Sequence, residues 1–202
     1  MSSTKEKIKK AAQTLFATNG FVGTSMKDIA DKVGIRKASL YSHFSSKEEI
    51  LFEVYKEVSS DYLALSKRLM EESKEMEIQD RLEHLFKGYI VHYYHHKEYQ
   101  AFWSQIQLHL VCPPEIKEAI FKDITEKEQF FQKGMEEIFQ EAMEQKVIRE
   151  DKPSRLVMSF RAMRDGLLSW MLVVPEIKEE HISSFWKDYW FGLENREGQG
   201  KI

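Results

Sequence analysis

The chain has 202 residues, of which 42% are hydrophobic and 31% charged, so it can bury one large core or two small ones. No apolar run approaches the roughly 20 residues that span a bilayer, and the polar start MSSTKEKIKK lacks a signal-peptide pattern. The single cysteine, Cys112, excludes an internal disulfide framework, so we expect a protein of the reducing cytoplasm.

The formal net charge of −3 conceals an uneven distribution along the chain. Residues 1–47 contain nine lysines and arginines but three acidic residues, whereas residues 48–202 contain 21 basic and 30 acidic residues. A basic segment is suited to nucleic acid, because acidic side chains would repel the phosphates. The acidic remainder predicts a solvated helical surface.

Three short helices are predicted in the first part of the chain. The first ends at Gly20, and the second begins at Ser25, because Asp28 three residues later can return the hydrogen bond of a capping box. Gly34 allows a tight turn, since glycine adopts positive φ without steric cost. The third helix is predicted over about residues 36–44.

The third helix is predicted to present polar groups on one side, since Leu40 and Phe44 form its buried side. The outward residues are Arg36, Lys37, Ser39, Ser42 and His43, with Tyr41 at the edge. Lysine can donate to guanine O6 and N7, and Thr24 and Ser25 lie at a helix N-terminus, which attracts phosphate. The spacing predicts a helix-turn-helix that enters a DNA major groove.

A family resemblance is carried by residues spread over all three predicted helices: Ile8, Ala11, Ala12, Leu15, Phe16, Gly20, Phe21, Thr24, Ser25, Asp28, Ile29, Ala30, Gly34, Ile35, Leu40, Tyr41, Phe44 and Lys47. The segment resembles the N-terminal domain of the TetR family of transcriptional regulators. Arg36 and Ser39 depart from the family pattern, which changes the bases that are read. The resemblance implies a ligand-released repressor, binding a two-fold operator as a homodimer, with Tyr41, His43 and Lys47 on the DNA backbone.

Helical periodicity continues to the end of the chain, so the predicted fold class is all-α. We expect a three-helix DNA-binding domain over residues 1–46 and a six-helix effector-binding and dimerisation domain over residues 47–202. A long helix from about residue 47 to residue 73 is expected to join them.

A ligand cavity within the second domain is implied by the resemblance, although most aromatic and methionine residues there are expected to be core. The candidate wall residues are Tyr62, Tyr89, Tyr93, Phe102, Trp103, Phe130, Met163 and Trp170. The candidate polar anchors are His92, His109 and Arg164. This mixture predicts a small, largely apolar effector.

The last two long helices carry more apolar residues than one intramolecular face can hide, which predicts a dimer interface of two helices from each chain. The predicted interface residues are Leu156, Phe160, Leu167, Leu168, Met171, Ile182, Phe185, Trp186 and Tyr189.

Two alternative functions stay open at this point. His92 and His96 are four residues apart, and His109 and Cys112 are three apart, which are metal-ligand spacings and allow a metal-sensing regulator. An architectural DNA-binding protein without an effector is the second alternative. No cofactor motif, phosphate-binding glycine loop or nucleophile elbow is present, so we do not expect an enzyme.

Overall fold

The computed structural model describes residues 3–174 and 176–195, apart from the side chains of residues 108 and 109. The described part contains nine α-helices, one 3-10 helix and one isolated β-bridge between Ile148 and Glu194, which confirms the all-α prediction. The helices are α1 (Thr4–Asn19), α2 (Met26–Val33), α3 (Lys37–Tyr41), α4 (Lys47–Glu72), α5 (Ile78–His95), α6 (Lys97–His109), α7 (Pro114–Glu144), α8 (Pro153–Val173) and α9 (Ile182–Leu193), with the 3-10 helix at Glu179–His181.

The turn between α2 and α3 depends on a single glycine. Gly34 follows α2 with φ +77° and ψ +33°, and its amide donates to the carbonyls of Ala30 and Asp31. An L side chain is strained in this left-handed conformation, so glycine closes the turn at the lowest cost.

Helix α3 is shorter than the sequence predicted, because it contains five residues rather than the expected nine or so. Ser42 follows its last turn, and the amides of His43 and Phe44 both donate to the carbonyl of Leu40. The predicted last helix, from about residue 177, is also divided: the 3-10 helix precedes α9.

Packing divides the chain into two compact units. Unit 1 comprises the described residues up to Leu63 together with His96–Glu126, and unit 2 comprises Ala64–His95 and the described residues from Lys127 onward. Helices α4 and α7 each contribute to both units. The predicted boundary after residue 46 concerns function rather than packing and stays a prediction.

The core of unit 1 draws on helices far apart in the sequence. Phe16 of α1, Ile29 of α2 and Leu40 of α3 share one buried cluster with residues of α4 and α6. Tyr55 of α4 is also buried there, and its hydroxyl donates to the carboxylate of Asp123 at 2.6 Å. The start of α4 and α6 therefore pack as part of the same unit as the three short helices.

Aromatic rings organise the core of unit 2. Phe86 of α5 meets Phe160 of α8 edge-on, with ring centroids 5.7 Å apart, and meets Trp186 of α9 at 5.4 Å. Tyr189 stacks on Phe86 as well, at 6.2 Å. Such ring pairs add to the hydrophobic stabilisation of the core. In the part of the chain that the structure describes, no helix is both long and apolar enough to cross a membrane.

Candidate functional site

The outer side of the α2–α3 motif is exposed and polar. The exposed side chains are Arg36, Lys37, Ser39, Tyr41, Ser42 and His43. Leu40 and Phe44 are buried, so the helix is oriented as its apolar spacing indicated. The Nζ atom of Lys37 lies 5.8 Å from the ring centroid of Tyr41, a cation–π arrangement that keeps the charge beside a flat exposed ring.

The N-terminus of α2 is already occupied by a carboxylate. The Ser25 hydroxyl accepts from the amide of Asp28, while one Asp28 oxygen accepts from the Ser25 amide at 2.8 Å and the Ser25 hydroxyl at 2.7 Å. These hydrogen bonds from Ser25 lower the pKa of Asp28. The capping box is thus confirmed, but a phosphate would meet an anion here, so phosphate binding by Ser25 loses support.

The side chain of Thr24 is directed into the fold, so the phosphate contact predicted for this residue is left to its backbone. Thr24 is 1% exposed, and its hydroxyl donates to the carbonyls of Gly20 at 2.8 Å and Leu15 at 3.2 Å. A buried hydroxyl that is satisfied by the backbone fixes the turn after α1 instead.

Lys47 is turned inward rather than toward an external anion, which corrects the predicted backbone contact. Its Nζ donates to the carbonyls of Phe21 and Thr24, both at 2.7 Å, and lies 4.1 Å from the Phe21 ring centroid. Burial lowers the pKa of Lys47. Lys47 therefore ties the start of α4 to the turn that precedes α2, and positions α3 indirectly.

One cation near α3 was missed by sequence reasoning. The exposed Lys5 of α1 places its Nζ 5.0 Å from the ring centroid of Phe44, which follows α3. The two residues are far apart in the chain, so no local spacing could indicate this contact. Lys5 is a further candidate for a phosphate contact.

A comparison with known proteins identifies the motif. The sequence profile described as bacterial regulatory proteins, tetR family, matches residues 8–54. The N-terminal segment of the chain therefore matches the TetR family. Two relatives match the same end of the chain. The biofilm operon icaADBC HTH-type negative transcriptional regulator IcaR of Staphylococcus aureus is 49% identical over 59 residues, which are 29% of this chain and 31% of that protein.

The second relative is the HTH-type transcriptional repressor KstR2 of Mycolicibacterium smegmatis, 41% identical over 56 residues, or 28% of this chain and 27% of that protein. The chain thus spans less than a third of the length of these relatives. The structure of AibR in complex with isovaleryl coenzyme A and operator DNA has a TM-score of 0.75 and 21% identity, and the match covers 95% of this chain and 100% of AibR. That likeness shows a shared fold.

The predicted ligand residues divide between the two units. Tyr62, Phe102 and Trp103 lie in unit 1, whereas the His109 side chain is outside the described part. The ring of Trp103 stacks on Tyr62 at 6.0 Å and on Tyr55 at 6.4 Å. Phe102 is fully buried in the unit 1 cluster, so its placement is that of a core residue.

In unit 2 the most distinctive predicted anchor is Arg164, which is 4% exposed. Its guanidinium carbon lies 4.7 Å from the Tyr89 ring centroid and 5.1 Å from that of Phe131. Its Nε donates to Asp165 at 2.7 Å, and the Tyr89 hydroxyl donates to Ser66 at 2.6 Å. Burying a cation among aromatic rings costs desolvation free energy, which hydrogen bonds or an ion pair must offset.

A half-buried ion pair joins α8 to α7. Arg161 Nη1 is 2.8 Å from Glu128 Oε2. Burial raises the pKa of Glu128, and the cations Arg161 and Arg164 oppose that rise. Sequence reasoning missed Glu128, because it is one of many acidic residues on α7 and periodicity does not show which of them is half-buried.

The remaining predicted ligand residues of unit 2 differ in exposure. Tyr93 is buried and His92 meets its ring edge-on at 5.0 Å, while Met163 is half-buried. Phe130 lines an open surface groove. Trp170 is 60% exposed, so its predicted place in the wall of an enclosed cavity is wrong.

The predicted dimer residues are largely core residues of unit 2, which corrects their assignment to the interface. Those buried in the single chain are Leu156, Phe160, Leu167, Leu168, Met171, Ile182 and Trp186, and Phe185 and Tyr189 are half-buried. The strongest apolar stripes of α8 and α9 face the core of unit 2, which includes Phe86 and Phe139. A side chain committed to that core cannot also contact a partner chain.

The metal-sensing alternative assumed that His92 and His96 lie on one helix face, and the structure does not show this. Helix α5 ends at His95 and His96 is the residue before α6, so His92 and His96 do not share a helix face. Cys112 is half-buried, and burial raises the pKa of its thiol, which disfavours the metal-binding thiolate. Among the residues whose side chains are described, no three His, Cys, Asp or Glu side chains come together.

Proposed function

We propose that this chain represses transcription by binding a two-fold operator as a homodimer, and that a small, largely apolar effector releases it. The observation that carries the proposal is the exposed polar side of α3, held by the turn at Gly34, in a segment that matches the TetR profile. The basic composition of residues 1–47 supports attraction to phosphates.

Dimerisation is supported by an apolar stripe on the outer side of α8. Met158, Ala162, Gly166, Trp170 and Val173 recur at three- and four-residue spacing and are all exposed. A Cβ on Gly166 would have no neighbour within 4 Å, so another backbone can approach there closely. A contiguous exposed apolar patch of this kind is typical of protein interfaces. We propose this stripe, with Phe191 of α9, as the dimer surface.

The effector proposal rests on polar groups enclosed by aromatic rings in unit 2. Arg164 lies among Tyr89 and Phe131, and such a site combines apolar walls with a fixed charge that can orient a polar end. AibR, which shares the fold, was solved with isovaleryl coenzyme A, an acyl group on a polar carrier. We propose that the effector of this chain likewise joins an apolar acyl group to a polar end.

Selection from a random duplex DNA library tests operator binding. We expect the intact chain to enrich a two-fold symmetric sequence, and affinity for that sequence to fall steeply as salt rises. Enrichment of asymmetric sites, or of no sequence at all, would contradict the proposal.

A series of acyl-coenzyme A thioesters of increasing chain length, with free coenzyme A as control, tests the effector. An effector should raise the melting temperature and release the selected DNA together, because linkage joins the two. Arg164→Met should weaken both responses, whereas Arg155→Met, which removes an exposed arginine of α8, should leave them unchanged. Equal responses of the two variants would exclude Arg164 as the anchor.

A further inference from the structure

A polar groove of about 280 Å³ lies within unit 1, where α1 packs against α6. Glu6, Lys9, Lys10 and Gln13 of α1, Val54 and Glu57 of α4, and His96, Glu98 and Tyr99 at the start of α6 form its lining. None of these side chains belongs to the exposed side of α3 or to the aromatic cluster of unit 2. The groove is therefore unexplained by DNA binding, dimerisation or the proposed effector.

Gln13 marks one wall of this groove as incomplete. The side chain is 8% exposed, and its Nε2 is buried without a hydrogen-bond partner in the described part of the chain. A buried amide left unpaired is destabilising, so native interiors almost always satisfy one. Lys10 lies one turn earlier on α1 and is exposed, with its ammonium available as a second donor to the groove. This wall thus offers hydrogen-bond donors and requires an acceptor.

The opposite wall has the reverse character. Glu57 and Glu98 line it with carboxylates, and burial together with Glu57, Asp61 and Glu98 raises the pKa of Tyr99. The negative potential at the Tyr99 ring favours a cation. This wall therefore requires a positively charged group.

Lys9 already pairs with two carboxylates that line the groove. Its Nζ lies 2.8 Å from a Glu6 oxygen and 2.8 Å from a Glu57 oxygen. Burial lowers the pKa of Lys9, but the bonds to Glu57 and Glu6 outweigh it and the net shift is upward. Lys9 thus engages Glu6 and Glu57, which leaves Glu98 as the groove carboxylate for a further cation and Gln13 and Lys10 as the donors.

We propose that this groove binds a small zwitterion of the free amino-acid type. Its carboxylate accepts from Gln13 and Lys10, and its ammonium lies against Glu98 and the ring of Tyr99. A simple amine would leave the Gln13 amide unpaired, and a simple carboxylate would leave Glu98 without a cation. A liquid water occupies about 30 Å³, so the groove has room for a molecule of several heavy atoms.

A bound zwitterion would stabilise unit 1 through helices α1, α4 and α6 at once. A ligand that binds the folded state alone raises stability according to its concentration relative to its dissociation constant. The direct readout is therefore the melting temperature of the intact chain, with no DNA present. Failure of this inference is thus distinguishable from failure of the proposed repressor function.

The experiment uses a panel of free α-amino acids, each beside its decarboxylated amine and its deaminated carboxylic acid. We expect at least one zwitterion to raise the melting temperature saturably and to bind at least tenfold more tightly than either single-charge analogue. Glu98→Gln and Gln13→Leu should abolish the shift. Glu118→Gln removes an exposed carboxylate of α7 in the same unit, outside the groove, and should retain it.

Any of these thermal results would overturn the inference: no zwitterion raises the melting temperature, an amine or acid binds as tightly as its zwitterion, or Glu98→Gln keeps the full response. Glu98 is exposed, so its variant tests the site even if Gln13→Leu fails to fold. A side-chain amide resonance of Gln13 that is unmoved by a saturating zwitterion in the nuclear magnetic resonance spectrum would have the same force.

Discussion

The outer sides of α3 and α8 are both exposed in the single chain, yet their chemistry is opposite. Helix α3 presents Arg36, Lys37 and Ser39, whereas α8 presents Met158 and Val173, each 70% exposed. Water solvates the first surface at no cost, but apolar area costs roughly 25 cal/mol per Å² to leave exposed. The apolar surface therefore supports the proposed dimer by itself, whereas the polar surface is informative only within its helix-turn-helix.

Blocking the α8 surface should have the largest effect on DNA binding. Gly166→Arg adds a long cation where no neighbour lies within 4 Å, so it fits the single chain but prevents close approach of a second one. We expect a monomer that binds its selected DNA on the order of 100-fold more weakly, because only one half-site is engaged. Light scattering and a fluorescence binding titration measure the two effects.

The matched control for this variant is Gln140→Arg, which adds the same charge to an exposed position of α7 in unit 2. It should remain dimeric and keep its DNA affinity. If Gly166→Arg stays dimeric while circular dichroism shows an unchanged helix content, the interface lies elsewhere.

Removing one cation from the α3 surface should have a smaller and more specific effect. Lys37→Met keeps the length of the side chain but loses the ammonium beside Tyr41. If Lys37 reads guanine, we expect a loss of about 1–3 kcal/mol at one base position, with little change at the others. Titration against a set of single-base operator variants measures this. A uniform loss across all variants would instead indicate a phosphate contact.

The interior-facing residues of the same motif should affect folding rather than base reading. Lys47→Met leaves the carbonyls of Phe21 and Thr24 without a donor, and Thr24→Val removes a buried hydroxyl without changing shape. Each should lower the free energy of unfolding by about 1–3 kcal/mol. Denaturant unfolding measures the loss.

The salt dependence of DNA binding separates these two roles. Lys47→Met should keep the slope of log affinity against log salt, since its ammonium is engaged with the turn before α2. Lys37→Met, by contrast, should lower the affinity for DNA without a comparable loss in the free energy of unfolding. A shallower slope in Lys47→Met, at wild-type stability, would restore Lys47 as a phosphate contact.

Local signals predicted the first part of the fold well, for physical reasons. The box of Ser25 and Asp28 and the turn at Gly34 each depend on residues at most four apart, so spacing alone indicates them. The inward turn of Lys47 onto Phe21 depends on a contact between distant segments, which spacing cannot show. Exposure of the α3 side chains followed from helix geometry, whereas burial of Thr24 did not.

The second unit shows the limit of apolar periodicity. The sequence indicated that α8 is apolar on more than one side, and the structure agrees. The sequence could not indicate which side meets the core. Phe160 and Leu168 proved to be buried, and Met158 and Trp170 exposed. Counting apolar residues predicts that an interface exists, and only the packing of α5 and α9 decides where it lies.

The smallest expected effect concerns the cap of α2 and its dependence on pH. Ser25→Ala removes an N-cap hydroxyl, which typically costs about 1 kcal/mol at neutral pH. It also removes the largest cause of the lowered pKa of Asp28. A carboxyl whose pKa is lowered in the folded state stabilises the fold at pH values above its unfolded pKa, near 3.8. It loses that contribution as the pH falls toward the lower pKa of the folded state.

We therefore expect the wild type and Ser25→Ala to differ most at pH 7 and less near pH 3, although the bond from the Asp28 amide to the Ser25 hydroxyl persists in acid. Urea unfolding at the two pH values measures the difference, and Ser154→Ala, at an exposed serine of α8, is the control. A difference that stays constant from pH 7 to pH 3 would mean that the Asp28 carboxylate contributes nothing through Ser25, and that the cap acts through the neutral hydrogen bond alone.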